Sequence, residues 1–164
     1  MPTLVTHFAL TGTKEEVSPA RHRVIDKVRA WGVPLDDETV DAIGLVASEL
    51  ITNAVIHGSG PITVTLSHSS GSLVIDVLDT NSTVPKLGCS DVEDEGGRGL
   101  VLVDFLAARS GWKRARGGKH VWAEIALPKS TPAVGTAVLS QLSGARSPSP
   151  RGRTVPSSYA LATA

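Results

Sequence analysis

The feature that most constrains this chain lies between Asp36 and Gly58. Apolar residues at Val40, Ile43, Ala47, Leu50, Ile51 and Ala54 recur at three-to-four spacing, the period at which side chains line one face of an α-helix. Asp36 and Asp37 stand where such a helix begins, with acidic charge at its positive dipole end, and Gly58 stands where it closes. So long an apolar stripe has to be covered by other elements, which makes this helix the centre of a layered domain. The chain supplies them: at 164 residues and 41% hydrophobic content it fits one domain with its own core. A single cysteine, Cys89, excludes an intramolecular disulfide and a multi-cysteine zinc site.

Around that helix the periodicity changes several times. Leu4–Leu10 is a short β-type run. Ser18-Pro19 reads as an N-cap followed by proline at the first helical position. Val24, Ile25, Val28 and Trp31 then carry a helix that stops at Gly32 and Pro34. Two β-rich runs, Ile62–Ser67 and Leu73–Leu78, are joined by His68–Ser72 as a hairpin. Thr80–Glu95 is polar with no clear element, and connections of that length are commonly functional. Gly99–Ala108 reads as a helix. Gly111–Arg116 and His120–Leu127 read as strands about a glycine turn, Gly117-Gly118-Lys119. The sum predicts an α+β layered sandwich with mostly antiparallel strands.

The folded body is expected to end near Pro128. Residues 129–164 are rich in Ser, Pro, Ala and Gly, and Ser143–Ser158 has almost no large apolar residue, a composition that predicts a disordered tail. Formal charge is zero overall, with 16 basic and 16 acidic residues. Four of the basic ones lie in that tail and none of the acidic ones do, which leaves twelve against sixteen in the body. An acidic body argues against nucleic acid as the main partner, because phosphate binding rests on Lys and Arg. Met1–Leu10 lacks the charged start and apolar core of a signal peptide. No run approaches the roughly 18 apolar residues of a membrane span. A soluble, cytoplasmic protein with no membrane partner is the expectation.

Three groups of residues carry chemistry. Glu49, Asn53 and His57 are four apart and share one face of the central helix, beside its apolar stripe. A carboxylate and an amide oxygen at that spacing suit a hard cation such as Mg²⁺, or Glu49 can serve as a general base; a polar helix edge presents the same residues. Asp79 ends the apolar run Leu73–Leu78, where it can accept a hydrogen bond from a ligand amine or simply cap a loop. Asp76 is the competing acid, and alternation puts it on the opposite sheet face from Asp79. Gly96-Gly97-Arg98-Gly99-Leu100 directly precedes a helix, where free N–H groups and bare backbone suit a phosphate. It matches neither the Gly-Lys-Ser/Thr phosphate loop nor a strand–GxGxxG–helix unit.

Together these residues form a joint pattern. Ser48–Gly58 (SELITNAVIHG) resembles the N-box of the GHKL, or Bergerat-fold, ATPase superfamily. Asp79 is similar to the aspartate of its first glycine box, Gly97-Arg98-Gly99-Leu100 to its second, and Gly117–Trp122 to the turn before its last strand. Order and spacing agree over about Ala20–Leu127. The first box reads Asp79-Thr80-Asn81-Ser82-Thr83 in place of Asp-x-Gly-x-Gly, although Asn81 tolerates left-handed backbone better than most residues.

Among superfamily members, a short stand-alone domain most resembles the anti-sigma-factor serine/threonine kinases. The resemblance implies a two-layer sandwich with helices on one face of the sheet. It implies ATP and Mg²⁺ as cofactors, with Asn53 on the metal, Glu49 as base and Asp79 on the adenine amine. Gly97 and Gly99 would surround the phosphates, with His57, Asn81, Arg98, Leu100 and Lys119 also at the nucleotide. Thr80–Glu95 would form the lid. The implied partners are a sigma factor or an anti-anti-sigma protein, and relatives of this kind often form homodimers. Two other readings stay open beside the kinase: a non-catalytic, ATP-gated binding module, and an interaction domain that has lost its nucleotide.

Overall fold

The computed structural model describes residues 2–58, 60–80 and 95–129. Among them the chain runs through β1 (Leu4–Leu10), a 3-10 turn (Lys14–Glu16), α1 (Val17–Ala30), α2 (Asp37–His57), β2 (Ile62–Ser69), β3 (Ser72–Asp79), α3 (Glu95–Leu106), β4 (Arg109–Ala115) and β5 (Gly118–Ala126). The five strands form one antiparallel sheet in the order β1-β2-β3-β5-β4. This is the α+β sandwich expected from the sequence.

The central helix forms as its residues dictate. The Asp36 carboxylate accepts from Thr39 N–H at 2.8 Å, satisfying one of the four amides a helix start leaves open. At the other end Gly58 N–H donates to Ala54 O at 2.8 Å. Ile43, Val46, Ala47, Leu50, Ile51 and Ala54 of α2 are all buried. They pack on Ile62, Val64 and Leu66 of β2, Ile75 and Val77 of β3, and Val121 and Ala123 of β5, within one core. Burying each large aliphatic side chain is worth about 1.5–3 kcal/mol. Among the described residues, α2 is the one helix long and apolar enough on average to cross a membrane, a test that the core helix of a layered domain also passes. Its Gly, Ala and Thr residues keep the helix apolar without an unbroken run of large side chains, and its buried stripe faces the sheet.

Helix α1 lies over the β1–β2 side. Arg23 places its guanidinium 4.4 Å above the Phe8 ring, and Trp31 stacks on His68 of β2 at 6.2 Å. This helix begins before the Ser18-Pro19 start read from the sequence. The Glu16 carboxylate folds back to accept from the N–H groups of Thr11, Gly12 and Thr13 at 3.2, 2.9 and 3.0 Å. Helical backbone thus begins five residues earlier, with Thr13 rather than Ser18 as N-cap, and Pro19 sits in the first turn of α1, where its missing N–H costs nothing.

The β2–β3 hairpin closes on a two-residue turn, Ser70-Gly71, with φ of 51° and 79°. Positive φ at both positions matches the twist of the flanking strands. In β3, Leu73, Ile75, Val77 and Asp79 face the helices, while Val74, Asp76 and Leu78 take the other sheet face. Helix α3 starts earlier than expected, with Gly96 and Gly97 inside its first turn. Once later turns are nucleated, extending a helix by one residue costs little even for glycine. Likewise Gly118 and Lys119 belong to β5 rather than to the turn, because Gly118 pairs with Ala115 and Lys119 with Asp79.

Candidate functional site

The C-terminal half of α2, the end of β3, the start of β5 and the first turns of α3 meet around three glycines. Glu49 of α2 lies directly against Gly99 of α3. A Cβ built on Gly99 would overlap Glu49 Oε2 and stand 3.1 Å from its Cδ. Gly58 brings the end of α2 onto β3, where a Cβ would lie 3.4 Å from Asp79 Cβ and overlap Ala54 O. Gly118 lies against the Asp79 main chain: a Cβ there would overlap Asp79 O and sit 2.9 Å from its carbonyl carbon. At Gly58 and Gly118, where the close neighbour is backbone, such an approach is open only to a residue without a side chain, whereas at Gly99 the neighbour is the end of a flexible side chain.

Asp79 and Lys119 are direct cross-strand partners on the helix side of the sheet. Their side chains are 1% and 2% exposed, and Lys119 Nζ lies 3.2 Å from Asp79 Oδ2. Lysine is almost never this buried unless paired, and here the pairing is with Asp79 at the end of β3. Asp76, the competing acid, takes the opposite face, where its Oδ1 lies 2.6 Å from Nδ1 of His120. Burial therefore separates the two acids as alternation alone did not.

Asn53 is 7% exposed, and its Nδ2 has no hydrogen-bond partner among the described residues. A buried amide end without a partner costs free energy, and a bound ligand would meet that need. Glu49 sits one turn earlier on the same face and is half-buried. No group of three or more His, Cys, Asp or Glu side chains able to hold a metal occurs among the described residues. Glu49 and Asn53 could together offer two oxygens, and Mg²⁺ is commonly held by one or two protein oxygens together with substrate phosphates rather than by an all-protein cage. Side-chain amide N and O are interchangeable by a flip, so Asn53 can present its oxygen to a cation.

The remaining residues divide. His57 is exposed at the last position of α2. Arg98 is exposed on α3, and Leu100 packs against the core. Gly97 falls within α3. Asn81, all of the expected lid except its ends Thr80 and Glu95, and residues 130–164 lie outside the described residues. An apolar cleft between α2, α3 and the β4–β5 edge is lined by Leu50, Leu100, Val103, Trp112 and Val121. None of Glu49, Asn53, Asp79 and Lys119 lines it. The Lys119–Asp79 ion pair was not legible in sequence, although the cross-strand register of a hairpin-rich sheet is the signal that contains it.

Comparison with solved structures shows the same fold. The RsbU and RsbW domains of Rv1364c from Mycobacterium tuberculosis align with a TM-score of 0.58 at 20% identity, covering 79% of this chain and 33% of that one. This chain thus spans about a third of the length of that protein. A histidine kinase domain from the blue-light activated histidine kinase of Erythrobacter litoralis EL346 aligns at 26% identity and a TM-score of 0.46, over 68% of this chain and 61% of that one. No curated protein gives a significant match. Residues 10–125 match the family described as the histidine kinase-like ATPase domain. That match spans every strand and helix around the Glu49, Asn53, Asp79 and Lys119 cluster, and the chain belongs to this family of ATP-binding domains.

Proposed function

We propose that the chain is an anti-sigma-factor-type protein serine/threonine kinase, acting in the cytoplasm on an anti-anti-sigma partner. The observation that carries this reading is the seating of Glu49 against Gly99, with the buried Asn53 amide one turn further along α2. A pure binding surface has no need of an acid held against a bare helix backbone. The ATP-binding body would be residues 1–128, with 129–164 as a separate tail.

In this reading Asp79 accepts from the adenine amine, and the N-terminal turns of α3 present N–H groups to the phosphates. Asn53 would hold Mg²⁺, which supplies charge neutralisation at the transferring phosphoryl group. Glu49 accepts the proton of a partner Ser or Thr hydroxyl. That oxygen bonds to the γ-phosphorus as the bond to the β–γ bridging oxygen breaks, leaving ADP and a phosphorylated side chain. The protein's part is positioning and proton acceptance, since little covalent chemistry is required of it.

Beside the kinase stands a second reading, in which ATP only sets the conformation of a sigma-factor-binding module; Asp79-Thr80-Asn81-Ser82-Thr83, without the glycines of the first box, favours a third, an interaction domain that has lost its nucleotide. Titration calorimetry with a non-hydrolysable ATP analogue, with and without Mg²⁺, tests the premise that the first two share. Saturable, Mg-dependent binding is expected, and no heat at millimolar analogue from folded protein overturns it. Label transfer from γ-labelled ATP to a serine-bearing anti-anti-sigma protein then separates kinase from binder: transfer that Glu49→Ala abolishes supports the kinase.

A further inference from the structure

The most unusual group in the fold is the Lys119 ammonium. It is among the largest fully buried side chains, and it sits 3.2 Å from the carboxylate that the proposed function assigns to the base. Stability alone does not explain it, because a buried ion pair is often no better than an apolar pair of similar volume. Nor does one carboxylate oxygen exhaust it, because an ammonium carries three N–H donors.

Asp79 is the last residue of β3 and Lys119 the second of β5, so the pair lies at the rim of the buried sheet face, beside Gly58 and under the end of α2. Carboxylate and ammonium are thereby fixed side by side as an acceptor and a donor. Gly118 packed on the Asp79 main chain holds the register of the two strands at that point. The edge of a 6-aminopurine offers the complementary pair: the C6 amine donates, and the adjacent ring nitrogen N1 accepts. A 6-oxopurine reverses both, with O6 accepting and N1–H donating.

We propose that Lys119 is the second half of the base reader, donating to N1 of the adenine while Asp79 accepts from its amine. The inference rests on the cluster being the ATP site and adds a specificity-determining residue to it. A site built to hydrogen-bond a substrate atom rejects the analogue that lacks it, because its own buried group is then left unpaired. For an ammonium in the core of a domain that penalty is severe.

The test compares ATP with 1-deaza-ATP, in which C–H replaces N1 and the amine is kept. Affinities are measured by calorimetry on the full chain and on Lys119→Met. The wild type is expected to bind the deaza analogue about 10- to 100-fold more weakly than ATP. Lys119→Met should bind both equally and weakly. Equal binding of the two nucleotides by the wild type overturns the role of Lys119 while leaving the ATP site intact, and this arm needs no variant to fold. Tighter ATP binding by Lys119→Met also overturns it, since the ammonium would then obstruct the base. No binding of ATP by the wild type defeats the ATP site itself, and the inference with it.

Discussion

Gly99 and Glu49 are in mutual contact across the α2–α3 interface, with no room for a Cβ between the helix backbone and the carboxylate. The group that would have to yield is the end of a flexible side chain, so the fold itself can accommodate a larger residue there. Gly99→Ala is therefore expected to fold, and its better helix propensity adds up to about 1 kcal/mol. Its cost falls on the placement of the Glu49 carboxylate. Phosphotransfer should drop by about 100-fold, the order expected for a displacement near 1 Å at a reacting group, while the melting temperature does not fall. Loss of both together would show that the contact is structural only.

Asn53→Ala removes the buried amide and leaves the stripe of α2 untouched. ATP binding should lose its dependence on Mg²⁺, with circular dichroism unchanged. Calorimetry at several Mg²⁺ concentrations reads this directly, and a Mg²⁺ response equal to that of the wild type would exclude Asn53 as the metal contact.

The Lys119–Asp79 pair predicts a double-mutant cycle. Asp79→Asn leaves an ammonium buried without its carboxylate and should cost about 3–5 kcal/mol in urea unfolding. Asp79→Leu combined with Lys119→Met should recover most of that loss, because no charge then remains to be solvated. A double variant no more stable than the single one would mean that packing, rather than charge, sets the effect.

Glu16 predicts an acid limb. Hydrogen bonds, first from Thr13 and then from Thr11, hold its carboxyl at about 2 against an ordinary 4.5. A depressed carboxyl contributes fully above its unfolded value and loses that contribution as pH falls through its folded value. The stability gap between wild type and Glu16→Gln should thus be constant above about pH 5 and close between pH 4.5 and about 2. Melting curves across that range check it, and a gap independent of pH would assign the effect to the amide substitution alone.

Deleting residues 129–164 should leave the melting temperature within about 2 °C of the full chain, since no large apolar cluster is lost with them. A drop of 10 °C would show that the tail packs.

How far the sequence reaches can be judged element by element. Helix α2 was legible in full because its stripe, its Asp36 cap and its Gly58 stop are all local signals. The β2–β3 hairpin was legible for the same reason, alternation on either side of a short polar turn. The start of α1 was not, because Glu16 reaches back to three amides that no propensity scale contains. At the site, the residues on α2 were readable from their spacing. The burial of Asp79, the half-buried place of Asp76 on the other face and the membership of Lys119 in β5 were not, because each depends on which strand lies beside β3.

The β3–β5 pairing also imposes an order in time. Lys119 lies forty positions beyond Asp79 in the chain, and strands so separated can meet only after a large loop has closed. Until β5 zips onto β3, the carboxylate has no ammonium and the base reader does not exist. A nucleotide therefore has nothing complete to grip during most of the folding reaction. Its stabilisation should appear as slower unfolding rather than faster folding, so a saturated chain would be long-lived once made and no quicker to make.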